Sequence, residues 1–154
     1  MTAQEFSFQL MRMQALFHRR LMKNLEPTDL STGQPKVLAF LRSHEGRSQK
    51  EIAQACLLEP GTVTVLLKRM EEQGIIERRQ REGDKKSRCI FLTERGRTLA
   101  NTSVESFFRT EELAFSGFTE EEKGKLLEFC DRIVNNLQNK GSMSIVGVEQ
   151  KEET

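Results

Sequence analysis

Apolar side chains recur at Phe6, Leu10, Met13, Phe17 and Leu21, in steps of four, three, four and four. That spacing lays one stripe along a helix, which Leu16 and Leu25 widen and Pro27 stops. A shorter periodic stretch follows at Val37, Leu38 and Leu41. Ser31 and Thr32 stand before it as capping residues, Pro35 falls in its first turn, where a missing N–H does no harm, and Gly46 ends it. Ser48 and Glu51 have the spacing of a capping box, so a third helix of about two turns starts there, with Ile52, Ala53 and Cys56 on its inner side. Pro60 opens a fourth, which turns Val63, Leu66, Leu67 and Met70 inward and ends at Gly74.

The period then changes. "IIERRQR" and "RCIFLT" are rich in β-formers and flank Gly83-Asp84, which predicts a β-hairpin with Ile76 and Arg78 on one side and Ile75 and Glu77 on the other. Helical spacing returns after Thr93 and lasts to about Phe115, with Leu99, Phe107 and Phe108 as packing residues and Gly117 as the break. Thr119 to Glu122 repeats the capping box, and Leu126, Leu127, Cys130, Ile133, Val134 and Leu137 form a last stripe. The expected fold is mainly α with a small β-hairpin, in a single domain spanning 1–154. Residues 31–93 form a winged helix-turn-helix, 1–28 and 94–140 are helical flanks, and 141–154 is a tail without periodicity.

In such a module the fourth helix projects and matches the width of the DNA major groove. Its leading turn, "PGTVT", brings Pro60, Gly61, Thr62 and Thr64 to base edges or phosphates, and Lys68 and Arg69 sit farther along for phosphates. Charge sharpens this reading. The net charge of the chain is only +1, yet Arg78 to Arg97 holds eight Lys/Arg against three acids. A basic segment on an otherwise mildly acidic body is a localised footprint for a polyanion. Lys85, Lys86 and Arg88 cluster at the hairpin tip, where the negative potential of a minor groove attracts cations. Asp84 belongs with them as the partner of Lys86 or Arg88 that fixes the bend.

Other chemistries find little in the sequence. Cys56, Cys89 and Cys130 form no CxxC and, with only His18 and His44 beside them, no metal-ligand spacing. They read as buried free thiols. No nucleophile, base and orienting group occur together and no Gly-rich phosphate loop is present, so neither an enzyme nor a cofactor is expected. No apolar run approaches the roughly 20 residues that span a bilayer, and "MTAQEFSFQLMRMQ" lacks the pattern of a secretory signal. The expectation is a cytoplasmic protein with no membrane partner.

Taken together, "LSTGQPKVLAFL", "SQKEIAQAC", "PGTVTVLLKRMEEQGIIERRQ" and "GDKKSRCIFLTERG" resemble the MarR family of bacterial transcription regulators across residues 31 to 96. The resemblance implies a homodimer clasped through the first and last two helices, bound to double-stranded DNA at a pseudo-palindromic operator with half-sites about one helical turn apart. It further implies a repressor relieved by a small aromatic or amphipathic ligand, bound between the dimer helices and the winged module near Phe17, His18, Leu21 and Lys36. Residues 1–28 hold no cysteine, which sets the chain apart from the family's peroxide sensors. Lys85 and Lys86 stand where the family carries arginines, Val65 where many members carry arginine, and Glu59 where serine caps the reading helix. The alternative reading is a winged-helix module given over to protein–protein contact.

Overall fold

The computed structural model describes residues 3–81 and 83–138; for residues 3, 81 and 84–87 it gives the backbone alone. The elements run α1 (Ala3–Asn24), α2 (Gln34–Ser43), β1 (Arg47–Ser48), α3 (Gln49–Cys56), α4 (Pro60–Glu72), β2 (Ile76–Arg81), β3 (Asp84–Leu92), α5 (Glu94–Ala114) and α6 (Glu120–Gln138). This is the winged helix-turn-helix order that the hydrophobic pattern predicts. The chain divides into two compact units at Ala114 and Phe115, so that α6 lies in the second.

The core of the first unit is assembled from one face of each element. Val37, Leu38 and Leu41 of α2 meet Ile52 and Cys56 of α3, Val63, Leu67 and Met70 of α4, and Ile76, Ile90 and Leu92 of the sheet. A helix as short as α3 is marginal by itself; burial of Ile52 and Cys56 and its capping box hold it. Both halves of that box are made: the Glu51 amide donates to Ser48 Oγ at 3.2 Å and the Ser48 amide to Glu51 Oε2 at 2.8 Å. The Thr119–Glu122 box at the start of α6 is likewise complete.

The structure departs from the sequence pattern in several places. The hairpin gains a third strand, in the order β1-β3-β2, because Arg47 and Ser48 pair antiparallel with Ile90 and Cys89. Ser31 and Thr32 do not cap α2. Its N-cap is Gly33 at φ 90°, without a side-chain cap bond, and the Gln34 side chain turns back to the preceding loop, its Oε1 accepting from the Ser31 amide at 2.9 Å. Phe108 is exposed and does not pack. Cys56 and Cys89 are buried as free thiols, but Cys130 is exposed on α6.

The inner face of α5 is made of small residues, Gly96, Ala100, Ser103, Ser106 and Thr110. They let α5 lie close against α2 and α1, and their hydroxyls are satisfied locally or across the contact. Ser103 and Thr110 donate to the carbonyls four residues back, and Ser106 donates to Leu21 O at 3.2 Å. None of the ten phenylalanines is buried. Phe6, Phe8, Leu10, Met11, Met13 and Leu16 of α1 are exposed, and so are Leu126, Leu127, Phe129, Val134 and Leu137 of α6, which has no buried residue. The tail expected at 141–154 lies outside the described residues.

The tightest approach is at Gly96, where an added Cβ would come within 2.0 Å of Ile75 O. Gly96→Ala should therefore destabilise the fold by about 1–3 kcal/mol, read from urea unfolding at fixed protein concentration. Gly124→Ala, which meets nothing within 4 Å, should not destabilise it. Equal midpoints for the two variants would show that the crossing at residue 96 is not tight.

Candidate nucleic-acid interface

The turn between α3 and α4 is short because Leu57 takes the left-handed conformation, φ 50°, that ends α3 in place. Pro60 then supplies a first helical position whose φ is already set, and Glu59 is the N-cap, without a side-chain cap bond. With Val63, Leu66, Leu67 and Met70 buried, α4 turns Gly61, Thr62, Thr64, Val65, Lys68 and Arg69 to solvent. Pro60 is exposed at the leading end. Thus all six α4 residues singled out from the sequence lie on one uncovered helix surface. In front of its first turn, Gln49, Lys50, Ala53, Leu57, Glu59 and Pro60 border an open cleft of about 700 Å³.

A chain of polar contacts fixes that helix to its neighbours. Gln49 Nε2 donates to Thr64 Oγ1 at 2.6 Å, and Thr64 in turn donates to Pro60 O at 3.0 Å. Arg78 on β2 donates to Gln49 Oε1 at 3.3 Å and to Glu71 Oε2 at 3.1 Å, so it joins the hairpin base to both ends of the helix pair. Gln49, Glu71 and this role of Arg78 are invisible to sequence reasoning, since the partners stand 7 to 29 positions apart. Thr64 thereby has its proton committed inside the protein. Thr62 has no partner among the described residues.

The far end of α4 is tied as firmly. Arg95 donates to Gln73 O at 2.9 Å, Thr93 Oγ1 to Gly74 O at 2.7 Å, and the buried Gln34 amide to Gln73 Oε1 at 2.7 Å. The helix therefore projects from a frame built by α2, α5 and the sheet. Beyond this frame, Lys68 is 3.9 Å from Glu72 in an exposed pair, which has little strength in water.

On the hairpin, Arg79 stacks over Phe91, 4.7 Å from its ring centre, and also pairs with Glu77. Arg88 is exposed on β3 opposite Gln80. Asp84, Lys85 and Lys86 belong to β3 by backbone; their side chains, and with them the pairing of Asp84 to Lys86 or Arg88, lie outside the described residues. The residues named for a ligand scatter by environment. Leu21 is part of the core, Phe17 lies 6.4 Å from Phe107 between ring centres, His18 Nε2 sits 3.4 Å from Thr32 Oγ1, and Lys36 is exposed. Burial pushes the Cys56 thiol up, against a smaller opposing effect of Lys36, which leaves it a poor nucleophile. Among the described residues no His, Cys, Asp and Glu gather as a metal site, and no helix is long and apolar enough to cross a membrane.

Known proteins share this arrangement. The profile described as MarR family matches residues 28–87. The HTH-type transcriptional regulator PecS of Dickeya dadantii is 34% identical over 133 residues, covering 84% of this chain and 80% of its own. The chain belongs to the MarR family. It is a transcriptional regulator and not an enzyme. The organic hydroperoxide resistance transcriptional regulator of Bacillus subtilis is 37% identical over 91 residues, which cover 56% of this chain and 62% of that one. Among solved structures, MepR of S. aureus in complex with DNA superposes with a TM-score of 0.77 at 25% identity, over 90% of this chain and all of that one. Within this MarR-family chain the capping box joins β1 to α3, so the start of α3 is set by the sheet.

That box makes a pH prediction. The Ser48 amide first, then its hydroxyl, hold the Glu51 carboxyl below the usual glutamate range. A carboxyl depressed in the folded state contributes stability above its unfolded value, and the contribution disappears as pH falls through the folded value. The stability difference between wild type and Glu51→Gln should be constant near neutrality and shrink below about pH 4.5. Denaturant titrations over that range would refute this if the two curves stayed parallel.

Proposed function

We propose that this MarR-family regulator binds a pseudo-palindromic DNA operator as a homodimer, presenting α4 to the major groove and the hairpin to the flanking minor groove. The observation that carries this reading is the uncovered stripe of α4 held beside a hairpin whose segment concentrates the chain's positive charge. Pro60, Gly61, Thr62 and Thr64 lie at the leading end, Lys68 and Arg69 reach phosphates, and Lys85, Lys86 and Arg88 supply the cations of the tip, whose bend Asp84 fixes by pairing with Lys86 or Arg88. The relative MepR, crystallised with DNA, supports the same use of the fold.

A second copy of the chain is the natural cover for the apolar side chains that α1 and α6 each leave exposed. Bound across a promoter, such a dimer blocks transcription, which makes it a repressor, and its place is the cytoplasm, with the DNA. Relief comes from a small aromatic or amphipathic ligand that reaches Phe17, His18 and Lys36, with Leu21 forming the apolar floor. No observation favours a module devoted to protein–protein contact.

Measuring binding to a duplex from 50 to 200 mM salt tests the reading. Log affinity should fall linearly with log salt, with a slope of about −0.9 for each phosphate neutralised, and replacing Lys85, Lys86 and Arg88 by Ala should flatten that slope by roughly three contacts' worth. Salt-independent binding, or a slope unchanged by the triple substitution, would refute it. Sedimentation should give a dimer.

A further inference from the structure

We infer that Val65 reads the methyl group of a thymine in the major groove. Gly61, Val65, Lys68 and Glu72 recur in steps of four, three and four and form the stripe opposite the buried Val63, Leu66, Leu67 and Met70. Val65 is 70% exposed on that stripe. The fold does not account for it: a β-branched residue is a mediocre helix former, and here most of its surface stays in solvent.

What surrounds Val65 narrows its use. Gly61, one turn before it, carries no side chain and has open space around it, so a base edge can come close to the helix. The first two turns, Pro60 to Leu67, hold no cation, which removes the Arg or Lys contact that selects guanine. The Thr64 hydroxyl already accepts from Gln49 and donates to Pro60 O. Thr62 has no partner among the described residues, so the outward reading chemistry of these turns is one free hydroxyl, the γ-methyls of Thr62 and Thr64, and the two methyls that Val65 presents on the stripe opposite the core. On the major-groove edge of B-DNA the apolar feature is the thymine C5-methyl. Contact between the two removes both from water, and one buried methyl changes affinity about fourfold.

This inference rests on the DNA-binding reading, and the experiment separates the two. Duplexes bound by the wild-type chain are selected from a randomised pool, and the preferred sequence is resynthesised with deoxyuridine replacing each thymine in turn, which removes only the methyl. Loss of the methyl at a particular thymine of each recognised site should weaken wild-type binding about fourfold, and Val65→Ala should bind the two duplexes equally while keeping its unfolding midpoint. Should every thymine be replaceable without loss, or should Val65→Ala retain the wild-type ratio, Val65 is not the reader. If selection recovers no preferred duplex at all, the sequence-specific DNA reading falls, and this inference with it.

Discussion

At residue 96 there is no room for a side chain. The backbone of α5 crosses the start of β2 so closely that Ile75 O occupies the space a Cβ would take, and Thr93 closes the crossing with its hydroxyl on Gly74 O and Ile75 O and its amide on Ile75 O. Three elements therefore share a few atoms: the end of the reading helix, the root of the hairpin, and the head of the long helix α5. The Arg95 and Gln34 bonds to Gln73 leave little slack in the same place.

From that fixed end the rest of the DNA-facing surface follows. The Arg78–Gln49–Thr64 chain anchors the opposite end of α4 and ties the hairpin to it. Position is thus supplied by internal polar contacts, and the outward side chains are left for the partner. Their chemistry is divided. Cations gather in the hairpin segment, where attraction to phosphate is independent of sequence, while the first turns of α4 carry only small, neutral side chains. On the proposed reading, affinity and base preference reside on different elements, joined by Arg78.

How much of this could be read from the chain depends on how local each signal is. The Ser48–Glu51 and Thr119–Glu122 boxes, Pro60 at a first helical position and the inward run Val63, Leu66, Leu67, Met70 are patterns within one or two turns, and each appears where its spacing puts it. The inner face of α5 was not legible, because Gly96, Ser103, Ser106 and Thr110 carry no hydrophobic signal; their size, not their polarity, places them inside. Ser31 and Thr32 look like caps, yet the left-handed Gly33 is the N-cap, no side chain caps the helix, and Gln34 turns back to accept from the Ser31 amide. Strand β1 is two residues long and exists only because β3 pairs with it. For the site, Thr62 and Val65 stand on the open surface that the helical period predicts, whereas the commitment of Thr64 to Gln49 is a tertiary contact with no trace in the spacing.

In the proposed complex this frame aims two copies of α4 and of the hairpin at one duplex. Hydroxyl-radical cleavage of a bound, end-labelled duplex tests it most directly. Two protected patches are expected on one face of the DNA, centred about one helical turn apart and each flanked by protection in the neighbouring minor groove. A single patch, or protection spread evenly along the strand, would contradict it.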